Sequence, residues 1–211
     1  MVDHQNVMDY KGTICIIDDD EAVRESLRLL LFVNGYQCQP FESADAFLAY
    51  DDPDKFEAIL LDLQMPGMDG LELQQILLKR NYRTPIIFIS GHGDIPDAVA
   101  AIQKGASDFL TKPFEEGDFL AKIEAAVAGF RDQLRAFEEL ENLQSIYASL
   151  TPRETDVMRL IVQGRANKQI GDELGISPRT VEIHRARAME KMEAGSVADL
   201  VRMATLLDSQ D

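Results

Sequence analysis

Residues 58–70 read Ala-Ile-Leu-Leu-Asp-Leu-Gln-Met-Pro-Gly-Met-Asp-Gly, and this stretch decides the fold. Four apolar residues run unbroken into Asp62, and a Pro-Gly turn separates them from a helical pattern over 70–79. A short continuous apolar run suits a parallel strand buried on both faces. The pattern recurs on either side: 13–18 (TICIID), 37–41, 85–90 (PIIFIS) and 108–111 are the other strand candidates. Helical stretches fall at 20–34, 43–49, 70–79 and 97–104. Gly35 and Gly105 stop two of them, because glycine accepts the left-handed conformation cheaply. Strands and helices alternating with short loops predict an α/β fold with a doubly wound parallel sheet.

From Glu115 the pattern becomes one long helix. Leu120, Ile123, Val127, Phe130, Leu134 and Phe137 follow at alternating spacings of three and four, a heptad seam that slips phase afterwards. Its early part is expected to pack on the sheet as the fifth helix. Beyond Val127 it is available for self-association, with Gly129 as the one weak point. The last third is helical throughout. Thr151-Pro152-Arg153-Glu154 is a capping box with proline at the first helical position, and that helix should end at Gly164. Asn167 is expected to cap a short helix to Leu174, followed by a Gly175-Ile176 turn. Ser177-Pro178 opens a longer helix ending near Gly195, and Ser196 with Asp199 caps a last one through Leu207. Two helices joined by a glycine turn within such a group predict a helix-turn-helix.

The 211 residues leave room for two such modules. Charge separates them. The chain has 21 basic and 37 acidic side chains, a formal −16; residues 1–147 carry −15 of this and 148–211 only −1. Four basic residues against two acidic ones lie between Arg179 and Lys191. The two modules have different electrostatic duties. An apolar content of 45% excludes wholesale disorder. Cys15 and Cys38 cannot build a disulfide framework and are expected to be buried small hydrophobes in a reducing compartment. There is no secretion signal near the start and no apolar run of ~18 residues, so a cytoplasmic protein without a membrane span is expected.

In an open parallel sheet, ligands collect at the carboxyl ends of the strands. Asp18-Asp19, Asp62, Ser90 and Lys112 all fall there. Three crowded carboxylates repel one another unless a cation joins them, and an all-oxygen set favours Mg²⁺. A carboxylate beside Mg²⁺ can attack a phosphoryl group, with Ser90 donating to one phosphoryl oxygen and Lys112 pairing with another.

These residues resemble the receiver domain of two-component response regulators. The likeness runs over 13–127 through IIDDDEAVRESL, LLDLQMPGMDGLEL, FISGHGD and GASDFLTKPF. It implies a flavodoxin-like (βα)5 fold in which Asp62 is the phosphoacceptor. Asp18, Asp19, Asp62 and the Gln64 main-chain carbonyl would hold Mg²⁺, Lys112 would bind the phosphoryl group, and Ser90 with residue 109 would form a switch. Phe109 stands where many members carry Tyr, so that switch lacks a phenol hydroxyl. Residues 149–207 resemble the LuxR/FixJ-type DNA-binding domain, through LTPRETDVMRLIVQGRANKQIGDELGISPRTVEIHRARAMEKM. The order implies a tail at 1–12, a receiver at 13–127, a helical linker at 128–148 and a four-helix DNA-binding domain at 149–211.

At 100° per residue, Val181, Ala188 and Met192 share the core stripe of the 178–193 helix. The other side offers Arg179, Thr180, Glu182, Ile183 and Ala186 for base readout, with Glu182 able to accept from a cytosine amine. Arg187, Lys168 and Arg185 would touch phosphates, although Arg185 lies near the core stripe. His184 is expected to be a satisfied histidine at the core edge. His92 reads as exposed, and Asp69-Gly70 as a helix start without the ligand spacing of a calcium loop. The expected function is a transcription regulator, not a turnover enzyme. A histidine kinase phosphorylates it, it dephosphorylates itself, and it binds promoter DNA as a phosphorylation-induced homodimer, with RNA polymerase as a further partner. The rivals are a Mg²⁺ phosphohydrolase, disfavoured because Leu63-Gln64 replaces the usual Asp-x-Asp and no substrate cap exists, and a phosphorylation-independent adaptor.

Overall fold

The computed structural model describes residues 10–91, 102–103 and 105–208, apart from the Asp54 side chain. They form two compact units that divide between Gln133 and Leu134. In the first, strands β1 (Thr13–Ile17), β2 (Gln37–Phe41), β3 (Ala58–Asp62), β4 (Ile86–Ser90) and β5 (Asp108–Thr111) make one sheet in the order β2-β1-β3-β4-β5. Every pairing is parallel, with Ile14 opposite both Cys38 and Ala58. β2 is an edge strand, which is where Pro40 is tolerated within a sheet. Helices α1 (Glu21–Val33), α2 (Ala44–Leu48) and α3 (Gly70–Lys79) follow the first three strands. The expected helix start at Asp97, and His92, lie outside the described residues; Ile102 and Gln103 within that crossover are helical.

Alternate strand residues point to opposite faces, and two cores result. Cys15, Ile17, Ile59, Leu61 and Phe88 pack with Phe47, Phe56, Leu73 and Leu77 on one face. Ile14, Ile16, Leu60, Ile87 and Ile89 pack with Leu27, Leu31, Phe119, Ile123 and Val127 on the other. Cys15 belongs to the first cluster and Cys38 packs against the second, so the sheet separates the two thiols. Burial pushes Cys38 up to about 12 and Cys15 well above its ordinary value. Both behave as small hydrophobes.

Helix α4 (Glu116–Ala148) is continuous through Gly129. Its buried stripe is Phe119, Ile123 and Val127, with Leu120 and Ala126 only partly covered. This corrects the start of the expected seam. A sheet-facing helix buries a wider stripe than a coiled-coil line, and Phe119, stacked on Phe114 at 5.1 Å, takes its centre.

The second unit holds the end of α4 with α5 (Pro152–Val162), α6 (Asn167–Leu174), α7 (Pro178–Lys191) and α8 (Val197–Asp208) around Val157, Ile161, Ile170, Val181, Ala188, Met192 and Leu200. The Thr151 capping box forms as read. Asn167 does not cap α6. It is the first helical residue, and Gln169 Oε1 accepts from the Ala166 N–H at 2.9 Å instead, which leaves Asn167 Oδ1 to accept from Arg185. α6 crosses the turn so closely that a Cβ on Gly171 would meet the Ile176 carbonyl at 2.7 Å. α7 stops four residues before Gly195. Glu193 takes a left-handed φ of 55° and Ala194 N–H returns to the Met189 carbonyl, a helix stop built on a residue that does not advertise one.

Candidate functional site

The strand order reverses direction between β1 and β3, and such a switch point opens a crevice at the carboxyl ends of the strands. Asp62 ends β3, and Asp18 and Asp19 follow β1 directly. Carboxylate oxygens of the three lie within 4.8 Å of one another. They line a cavity of about 350 Å³ together with Gln64, Ser90 and Lys112. All the predicted residues of the strand-end group are therefore brought together.

Each is held by its neighbours. Asp18 is buried, accepts the Asp20 N–H at 2.9 Å and pairs with Lys112 Nζ at 2.8 Å. Its own carbonyl accepts from Arg24 Nη1 at 2.7 Å. Asp19 is exposed, and Asp20 caps α1. Ser90 is buried at the end of β4, where its carbonyl accepts from the Lys112 N–H at 2.8 Å; the Lys112-Pro113 bond is cis. Phe109 on β5 is half-buried and packs on the first core. Asp62 accepts backbone hydrogen bonds from Leu63 and Gln64. Burial raises its pKa to about 6, against the opposing attraction of Lys112 and with a further upward push from Asp18. Gly70 fixes the back wall, since a Cβ there would meet the Asp62 carbonyl at 2.4 Å and the Phe88 ring at 3.0 Å.

The donor set fits a hard divalent cation. It is all oxygen and anionic, with Gln64 on the pocket wall, and Lys112 is the one cationic side chain among the described residues that line it. A carboxylate held among such charges can act as a nucleophile toward phosphorus.

On the second unit, Arg179, Glu182, Ile183, Ala186 and Arg187 of α7 and Lys168 of α6 are exposed. Thr180 is half-buried, with Oγ1 2.8 Å from the Ser177 hydroxyl that caps the helix. Arg185 is half-buried and donates to Asn167 Oδ1 at 3.3 Å, which ties α7 to α6. His184 departs from expectation. It sits at the core edge, but its buried Nδ1 has no hydrogen-bond partner among the described residues.

Residues 14–124 match the response regulator receiver domain, and residues 148–204 match the bacterial regulatory proteins of the luxR family. The chain is 42% identical over 197 residues to the transcriptional regulatory protein FixJ of Bradyrhizobium diazoefficiens, covering 93% of this chain and 96% of that one. It is 43% identical over 203 residues to the response regulator protein TmoT of Ectopseudomonas mendocina, covering 96% and 92%. The solved structure of the response regulator StyR superposes with a TM-score of 0.84 at 41% identity, over 92% of this chain and 98% of that one. The chain belongs to the response regulators with a LuxR-type DNA-binding domain.

Sequence reasoning did not find three features of this response regulator. Arg24 supports Asp18 from one helical turn into α1, a residue type and place that read as an ordinary surface charge. The close approach of Gly70 to Asp62 has a signal only in retrospect, in the Asp-Gly that opens α3. Lys191, counted with the basic cluster, is turned inward onto Glu154 at 2.7 Å. Among the described residues no helix is long and apolar enough to cross a membrane.

Proposed function

We infer that this response regulator accepts a phosphoryl group on Asp62 from the phosphohistidine of a histidine kinase and, so modified, binds double-stranded promoter DNA through the exposed side of α7. The observation that carries the reading is the convergence of three carboxylates and the Lys112 ammonium at the switch point of the sheet. An ionised Asp62 oxygen attacks phosphorus. The new P–O bond forms as the P–N bond breaks, and the electron pair leaves with the imidazole, which takes up a proton. Asp18, Asp19, Asp62 and the Gln64 carbonyl would hold Mg²⁺, which when bound offsets charge on the phosphoryl oxygens. Lys112 supplies a second point charge, and Ser90 with Phe109 forms the switch that registers the phosphoryl group. Slow attack of water on the acyl phosphate in the same pocket returns the carboxylate, so the regulator dephosphorylates itself.

The receiver spans 13–127 after a tail at 1–12, the linker 128–148, and the DNA-binding domain 149–211. Arg179, Thr180, Glu182, Ile183 and Ala186 face base edges, and Lys168, Arg185 and Arg187 face phosphates. The phosphorylated chain works as a homodimer on two half-sites, in the cytoplasm, and engages RNA polymerase there. The test is phosphorylation by a small acyl-phosphate donor. Wild type gains acid-labile phosphate and then recovers a duplex from a random-sequence pool, and Asp62→Asn does neither. Acid-labile phosphate retained on the purified Asn variant overturns the assignment.

A further inference from the structure

The reading helix is pinned at its far end by an ion pair that faces the protein rather than DNA. Lys191, the last residue of α7, donates from Nζ to Glu154 Oε2 at 2.7 Å and to the Ser149 main-chain carbonyl at 3.2 Å. The Glu154 side chain is only 4% exposed, and the same oxygen accepts from the Thr151 N–H at 2.9 Å. Ser149 directly follows the last residue of α4, and its N–H closes onto the Ile146 carbonyl at 3.0 Å. One ammonium therefore joins the end of α4, the first turn of α5 and the end of α7.

The apolar contacts of α7 do not supply this constraint alone. Its buried residues are Val181 and Ala188, with Met192 just beyond, a narrow stripe with a methyl group at its centre. Dispersion and burial are non-directional. Arg185 ties the helix to α6 in its middle, and at its far end a charge-assisted hydrogen bond fixes direction as well as distance. Lys191 counts among the four basic residues of the 179–191 cluster. Its geometry separates it from Arg179 and Arg187, which are exposed.

We propose that Lys191 and Glu154 are positioning residues for DNA reading: the pair sets the roll of α7, and with it the presentation of Arg179, Glu182 and Ile183, while neither residue touches the duplex. This rests on the DNA-reading role inferred above for α7. A phosphate-contacting lysine contributes to every duplex alike and steepens the salt dependence. A positioning pair contributes only where the base contacts depend on the angle of the helix.

Glu154→Gln gives the sharpest test, because the two readings differ in sign. The glutamine's one oxygen still accepts from Thr151, so the cap survives, while the ion pair with Lys191 is reduced to a hydrogen bond to a neutral amide and one negative charge is lost. Charge alone then predicts tighter duplex binding, and positioning predicts weaker. The full phosphorylated chain is titrated, at two salt concentrations, with the duplex that wild type recovers from a random pool and with an unrelated duplex. We expect Glu154→Gln and Lys191→Met each to lose roughly fivefold or more on the selected duplex, with binding to the unrelated duplex and the salt slope unchanged. Lys191→Arg, which keeps the pair, restores most of the loss. Glu154→Gln/Lys191→Met strands no buried charge and covers the case in which a single variant unfolds; it should show the same selective loss. Equal weakening on both duplexes with a slope lowered by ~1 for Lys191→Met makes that residue a phosphate contact and overturns the proposal. So does a double variant that reads the selected duplex as wild type does. A wild-type chain that recovers no duplex instead overturns the DNA-reading role itself.

Discussion

Replacing Asp62 with Asn should stabilise the metal-free receiver. Burial holds the Asp62 carboxyl at about 6 against an ordinary value of 3.8. At ~1.36 kcal/mol for each tenfold in proton affinity, this penalises the ionised form by at most about 3 kcal/mol. Solvent in the half-open pocket screens the charge, and about 1–2 kcal/mol is the better expectation. Because the folded state holds the proton more tightly than the unfolded chain, the penalty is absent below pH ~4. It grows as pH rises through the interval up to about 6, and is complete above it. Asn keeps an oxygen for the Leu63 and Gln64 N–H groups and carries no charge. The assay is thermal unfolding of wild type and Asp62→Asn from pH 4 to 8, with chelator and with Mg²⁺. In chelator at pH 7.5 the variant should melt roughly 3–6 °C higher, and the gap should close toward pH 4. Mg²⁺ should narrow it at neutral pH by stabilising wild type. A gap that is absent at pH 7.5 in chelator, or that stays constant across the pH range, refutes the assignment of the strain to an ionised Asp62.

Gly70→Ala should distort the pocket, because its methyl group would sit 2.4 Å from the Asp62 carbonyl; we expect about 1–3 kcal/mol of destabilisation by overpacking and slower phosphorylation, read by denaturant melts and phosphate incorporation. Arg179→Ala with Arg187→Ala should weaken duplex binding several-fold and lower the salt slope by up to ~2, measured by titration at two ionic strengths. Leu134 is 42% exposed, so Leu134→Glu should weaken the phosphorylated dimer in sedimentation at matched concentration. Phe130 is a poorer test of the same seam, since it lines a cavity of about 360 Å³ with Leu77 and Tyr82 and a charge there would disturb the receiver as well.

What could be read in advance followed from periodicity and from local punctuation. The five strands fell within a residue of their observed ends because a strand buried on both faces has a continuous apolar run, and β2, which lacks one, lies on an edge. The acid pocket was legible because sheet topology alone carries strand ends to one rim. Side-chain engagement across elements was not legible. Nothing local in the sequence says that Lys191 reaches back to Glu154, that Arg185 reaches Asn167, or that Phe119 rather than Leu120 centres the buried stripe of α4. The stop at Glu193 was invisible for a related reason. The left-handed turn there is imposed by the burial of Met192 and Ala194 on either side, not by the preference of the residue that adopts it.

The charge distribution limits how phosphorylation can promote DNA binding. The chain is a net −16, with −15 on residues 1–147. At physiological salt the Debye length is about 8 Å, so a duplex on α7 senses chiefly the charges within that reach, among them Arg179, Arg187 and Lys168 against Glu182 and Glu190. Phosphorylating a carboxylate adds roughly one further negative charge, since the acyl phosphate carries about two and the carboxylate's own is lost. The Coulombic effect of the signal therefore opposes DNA binding, weakly. Any gain in affinity must come from a shift between states that differ in how the reading helices are offered. Joining two such helices in one dimer converts the second half-site encounter into an intramolecular one, worth on the order of 10²–10⁴ in avidity when the spacing matches. On the reading proposed above, that gain exceeds the screened repulsion of one added charge, so a phosphorylation-induced dimer would outweigh the charge that the phosphoryl group adds.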